Sequence, residues 1–235
     1  MLKKRDPWSG WPVLQVDDKL QAIVKAAPIR VYTKDNKPSD LTNLMFIGSQ
    51  QQLIAAFQEA GWFQADSLSM GSAMKTIGAT IRSSGYTQAP VSLLTINGRP
   101  PDLVFQKSLD TFAKRHHIRI WKESQTWQGR EVWIGAATHD IAYSSSRMKT
   151  KWSHRIDPHV DREREWIETD LLFAGTADSY ALVDRPKVPK TTSNGTGDTI
   201  TTDGQISILS IGTTTPNILK PATPTLQTRP AETNK

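Results

Sequence analysis

Histidine, arginine and aspartate crowd into three short stretches of this chain. The first is Arg115-His116-His117-Ile118-Arg119-Ile120-Trp121. On an extended strand, alternation puts Arg115, His117, Arg119 and Trp121 on one face and His116, Ile118 and Ile120 on the other. His116 then shares a core-facing side with two isoleucines and needs a hydrogen-bond partner there. His117 and Arg119 either hold an anion or form a solvated face. The second stretch is Thr138-His139-Asp140, preceded by Gly135-Ala136-Ala137. Its small residues let a ligand or another backbone approach closely. Asp140, where the strand leaves the sheet, reads as a functional carboxylate or as a turn residue bonding its own backbone.

The third stretch runs from His154 to Arg164. His154 and Arg155 stand just before a helix start, where free N–H groups favour an anion. Arginine, histidine and free amides together suit a phosphate or carboxylate. Asp157, Asp161 and Arg164 fall at helical spacing on neighbouring turns. The candidate site residues are therefore His116, His117, Arg119, Asp140, His154, Arg155, Asp157, Asp161 and Arg164. Three readings stay open for them. One is a binding or accessory module for an anionic small molecule or lipid headgroup. A second is a hydrolase of phosphoesters or related bonds, with a histidine as general acid or base oriented by Asp140 or Asp157. The third is a scaffold with a buried ion network.

Metal binding is not expected. His116, Asp140, His154 and Asp157 have the right ligand chemistry, but no two fall at a diagnostic spacing. No cofactor is expected either, since the chain lacks a Walker motif, a dinucleotide glycine fingerprint and a GxSxG elbow.

The elements that must carry these residues follow from periodicity. Ile29–Tyr32 reads as a short strand, Lys34–Asp40 as a loop, and Asn43–Gly48 as a buried strand. Ser49 caps a helix from Gln50 to Ala60 that Gly61 ends. Trp62 and Phe63 fold back as core. A second helix is expected over Ser67–Arg82. Strands are expected at Val91–Asn97, Leu103–Gln106, His117–Lys122 and Glu131–Thr138, the last two forming a hairpin around Gln128-Gly129-Arg130. A polar loop covers Ser144–Lys151. Asp157 as N-cap and Pro158 as first residue open a helix whose apolar face is Val160, Ile167, Leu171 and Ala174, with Arg164 and Glu168 as an ion pair. Gly175 ends it, and Ser179–Asp184 is the last strand of the domain. The expected fold is α+β, a mixed α/β sandwich with a central mixed or antiparallel sheet and flanking helices.

Three divisions result: an N-terminal extension over 1–40, the domain over 41–186, and a Thr/Pro-rich, largely disordered tail over 187–235. In that tail only Ile206–Ile211 is apolar enough to add a strand.

Of the 235 residues, 37% are hydrophobic and 22% charged, and the net charge of +6 is compatible with an anionic partner. Basic residues interleaved with aromatics occur only around Lys114–Lys122, so nucleic acid is not an expected partner. The absence of cysteine excludes disulfides and thiol chemistry. No apolar run is long enough to span a membrane. Met1–Arg5 is basic but lacks the apolar stretch of a signal peptide, so the chain is expected to be cytoplasmic, or membrane-associated or exported if a leader is missing.

Taken in order, NLMFIGS, QQLIAAFQEAGW, GRPPDLVFQK, RHHIRIW, VWIGAATHD and HRIDPHVDRERE resemble the LssY C-terminal domain family. The resemblance covers about Asn43 to Leu172. It implies that the nine candidate residues lie within motif positions of the family. It brings no activity with it.

Overall fold

The computed structural model describes residues 10–65, 94–108, 115–145 and 152–212. Most of the expected loop over Ser144–Lys151, the whole of the expected helix over Ser67–Arg82, the first three residues of the strand over Val91–Asn97 and residues 213–235 lie outside the described residues.

The elements in chain order are α1 (Asp18–Ala26), β1 (Arg30–Thr33), β2 (Pro38–Leu41), β3 (Leu44–Ile47), α2 (Gln50–Glu59), β4 (Phe63–Ala65), β5 (Leu94–Thr95), β6 (Leu103–Ser108), β7 (Arg115–Trp127), β8 (Arg130–Ser145), β9 (Trp152–Ile156), α3 (Val160–Phe173), β10 (Ala177–Asp184), β11 (Thr191–Ser193), β12 (Thr199–Thr201) and β13 (Gln205–Ile211). Eight strands form the central sheet, in the order β10-β13-β3-β8-β7-β6-β4, with β9 added alongside β8. The pairing of β13 with β3 is parallel, and the other pairings in this sheet are antiparallel. The fold is thus a mixed α+β architecture.

Both faces of the sheet are covered. On one, Leu53 and Phe57 of α2 and Ile167, Leu171 and Leu172 of α3 pack against Phe46, Phe105, Ile118, Ile120 and Leu209. Phe57 stacks on Phe105 with ring centroids 4.3 Å apart. On the other, Leu20, Ile23 and Val24 of α1 and the small β2-β1-β5 sheet pack against Met45, Ile47, Trp121, Val132, Ile134 and Ile208. The strict alternation of residues between these two cores is the period-2 signature of a sheet buried on both sides.

Local rules explain the elements that hold the site. Ser49 and Gln52 form a reciprocal capping box at the start of α2. The β7–β8 hairpin closes on Gln128-Gly129, both with positive φ (49° and 75°), as a two-residue primed turn requires. Gly135 sits between Ile118 Cδ1, Phe46 Cε2 and Leu44 Cβ, at 3.1, 3.2 and 3.3 Å from where a Cβ would stand. The small residues at 135–137 therefore serve packing inside the protein and do not admit a ligand.

Several expectations change. Lys34–Asp40 is not wholly a loop, because Pro38–Leu41 pairs with β1. Trp62 is buried, but Phe63 is exposed on β4. Residues 152–156 form a strand on β8 where a run into the helix was expected. α3 begins at Val160: Asp157 Oδ1 accepts the His159 N–H (2.9 Å), and the Pro158 carbonyl is taken by the Thr201 N–H (2.6 Å). The segment after 186 supplies β11, β12 and β13, and β13 lies inside the sheet between β10 and β3, so Ser179–Asp184 is not the last strand. Residues 18–41 likewise form a covering layer.

Arg185 stitches that layer to the sheet. Its guanidinium donates to the carbonyls of Ala27 (2.7 Å), Pro28 (2.9 Å) and Thr42 (3.1 Å) and to the Thr42 hydroxyl (2.9 Å). Burial pushes it down to about 10, with Glu123 acting in the opposite direction. Arg185→Ala leaves these acceptors without their donor, and we expect a loss of about 3 kcal/mol in urea unfolding; a change below about 0.5 kcal/mol would show that the layer is held by packing alone.

Candidate functional site

The register of β7 and β8 sorts the polar residues by face. His116 stands opposite His139, His117 opposite Thr138, and Arg115 opposite Asp140. Opposed residues share a face. His116 and His139 therefore look toward α3, while His117, Arg119 and Asp140 look toward β1 and β2. The nine candidate residues do not form one site.

On the helix side, the His116 ring lies in a stack. It is parallel to the Trp166 indole at 3.8 Å and to the His139 ring at 4.3 Å between centroids. Glu163, one turn into α3, brings Oε2 to 2.7 Å from His116 Nδ1. Both side chains are buried, 7% and 2% exposed. The other carboxylate oxygen, Oε1, is buried and has no hydrogen-bond partner among the described residues. Burial pushes the Glu163 carboxyl above its ordinary range, and the bond to His116 opposes that shift. Beside this group, Lys107 bridges the Ala60 carbonyl and Asp170 and lies 5.0 Å from the Trp166 ring. Trp62 Nε1 also donates to Asp170 (2.8 Å).

On the opposite face His117 and Arg119 each meet a carboxylate. His117 Nε2 is 3.0 Å from Asp140 Oδ2. Arg119 Nη1 is 3.7 Å from Asp40 Oδ2, both nearly inaccessible. Burial holds Asp40 above its usual range and Arg119 below its own, each opposed by the other's charge. His117 and Arg119 are not a solvated face, because β1 and β2 cover them.

The third stretch disperses. Arg155 is exposed. Asp157 caps locally and stands 3.4 Å from Arg162. The side chain of His154 lies outside the described residues. Arg164 is 1% exposed and donates to Asp203 (2.8 Å), Asp161 (3.1 Å) and the Gln205 carbonyl (3.1 Å). The expected Arg164–Glu168 pair is replaced by these bonds, because both side chains face the sheet. There the β12–β13 turn offers Asp203 to Arg164, and the Ser207 hydroxyl donates to Glu168.

Reading the residues alone missed Glu163, Trp166 and Asp40. Glu163 was not singled out from the other charges of its helix. His139 was visible, but its partner was not. Three residues of β7, 123–125, face a single residue of β8. Without that bulge the turn would set His116 opposite Ile141. Both registers keep the face, and only the bulge pairs the two histidines.

A family model described as LssY C-terminus matches residues 24–206. No curated protein and no solved structure matches the chain.

The covered face gives a direct test of its ion pair. Asp40→Asn strands the Arg119 charge and should cost about 3–5 kcal/mol in denaturant unfolding. Asp40→Asn with Arg119→Met should recover most of that loss. Equal stability of the wild type and the single variant would contradict the pairing.

Proposed function

The chain belongs to the LssY C-terminus family, and for this member we propose a hydrolase of phosphoesters or related ester bonds centred on His116, His139 and Glu163. The observation that carries this reading is the His116–Glu163 contact at 2.7 Å, with His139 stacked on the same ring. A carboxylate accepting from one ring nitrogen fixes the tautomer and orientation of an imidazole and leaves the other nitrogen for a reacting group. Glu163 takes the orienting role expected of Asp140 or Asp157. In the proposed step a water oxygen bonds to the ester phosphorus or carbonyl carbon as its proton passes to the imidazole, the bond to the ester oxygen breaks, and the imidazole returns the proton to that oxygen so that it leaves as the alcohol. The net charge of +6 favours an anionic ester.

The anion-binding reading of the whole cluster has less support. Arg119 and Arg164 already face carboxylates within the protein, and His117 faces Asp140. Those residues fit the scaffold reading, so the polar stretches divide between two jobs.

The test is a screen of p-nitrophenyl phosphate mono- and diesters and carboxyl esters. The wild type should turn over at least one class. His116→Ala should lower kcat by about 100-fold or more, whereas Arg155→Ala leaves it unchanged. No turnover of any substrate, or equal rates for wild type and His116→Ala, would overturn the proposal.

A further inference from the structure

Resting on that reading of the same group, we infer that His116, His139 and Glu163 hold one divalent transition-metal cation of the zinc class. Three elements supply the ligands: β7, β8 and α3. His116 and His139 are directly opposed across the β7–β8 ladder, on the same face. That is the closest side-chain spacing a sheet provides, so two imidazoles can reach one ion from it. Glu163 arrives from the helix above. A nitrogen from each ring and a carboxylate oxygen all lie within 4.8 Å of one another. Ligands of a four-coordinate zinc stand about 2.0–2.2 Å from it, hence about 3.5 Å from each other, so the two stacked rings must turn until their in-plane lone pairs converge on the ion.

Glu163 Oε1 supplies a second, independent observation. It is a buried carboxylate oxygen with no donor among the described residues, on a side chain only 2% exposed. A buried acceptor of this kind is costly unless something positive meets it. His116 satisfies Oε2 only. A cation between the two rings and the carboxylate answers the charge.

The donor set narrows the ion. Two neutral imidazoles and one carboxylate, without thiolate, suit zinc, cobalt(II) or iron(II) better than calcium or magnesium, which prefer all-oxygen shells. Three protein ligands leave a position for water, the arrangement that catalytic zinc sites use. Trp166, stacked on His116, fixes that ring from its far side.

The experiment uses the full chain without a histidine tag, stripped with EDTA and titrated with Co2+ while the visible d–d bands are followed, then with Zn2+ by calorimetry. One equivalent should bind, and Zn2+ should raise the melting temperature. His139→Ala and Glu163→Gln should each weaken binding by roughly tenfold or more and remove the thermal shift. His159→Ala, an exposed histidine bonded to Thr201, should leave both unchanged. Circular dichroism checks that each variant is folded, and His139→Gln replaces any that is not. No saturable one-equivalent binding, or binding unchanged in His139→Ala and Glu163→Gln, overturns the site. Ester turnover without saturable one-equivalent binding sinks the cation and spares the hydrolase. One-equivalent binding without turnover of any ester upholds the cation and sinks the hydrolase.

Discussion

A strand pair covered on both of its faces leaves its charges little solvent to share. Polar side chains on the covered part of β7 and β8 must therefore meet partners inside the protein, brought from another layer or from the paired strand. Asp40 comes from β2 to Arg119, and Glu163 comes from α3 to His116. Asp140 meets His117 within the hairpin itself. Alternation decides which partner goes to which residue, because neighbours in sequence look into different cores. His116 and His117 are adjacent in the chain and yet serve different layers.

That constraint also sets how much chain the domain needs. The layer over one face is built from residues 18–41, which Arg185 ties to the sheet through three carbonyls and a hydroxyl. α3 is fixed over the other face by the buried Arg164, which reaches Asp203 beyond β12. The strand that follows, β13, fills the position between β10 and β3. The family match over residues 24–206 takes in most of both coverings.

Much of the fold was legible in the residues, and the limits have physical causes. The α2 cap, the β7–β8 hairpin and the alternation through 115–121 follow from local chemistry, and all three occur. β13 carries ISILSI, an apolar run in a Thr-rich segment; it is held by strands on both sides, a tertiary effect no local rule reports. The start of α3 moved by two residues because a carbonyl bonded to Thr201 competes with helix entry. The candidate site was half visible. The histidines and arginines stood out by type, but a bulge of β7 sets the His116–His139 pairing, and Glu163 was hidden among the charges of a helix. Residue type identified which groups could react; only the register and the packing of α3 determine which of them meet.

The most direct measurement is the tautomeric state of the two adjacent histidines, read from long-range 1H–15N NMR spectra of the metal-free protein. An ionised carboxylate only accepts hydrogen bonds, so each imidazole must carry a proton on the nitrogen that faces its carboxylate. We expect a proton on Nδ1 of His116, facing Glu163, and on Nε2 of His117, facing Asp140. An unprotonated Nδ1 at His116, or the same tautomer at both residues, would contradict the division of these side chains between two faces and two partners.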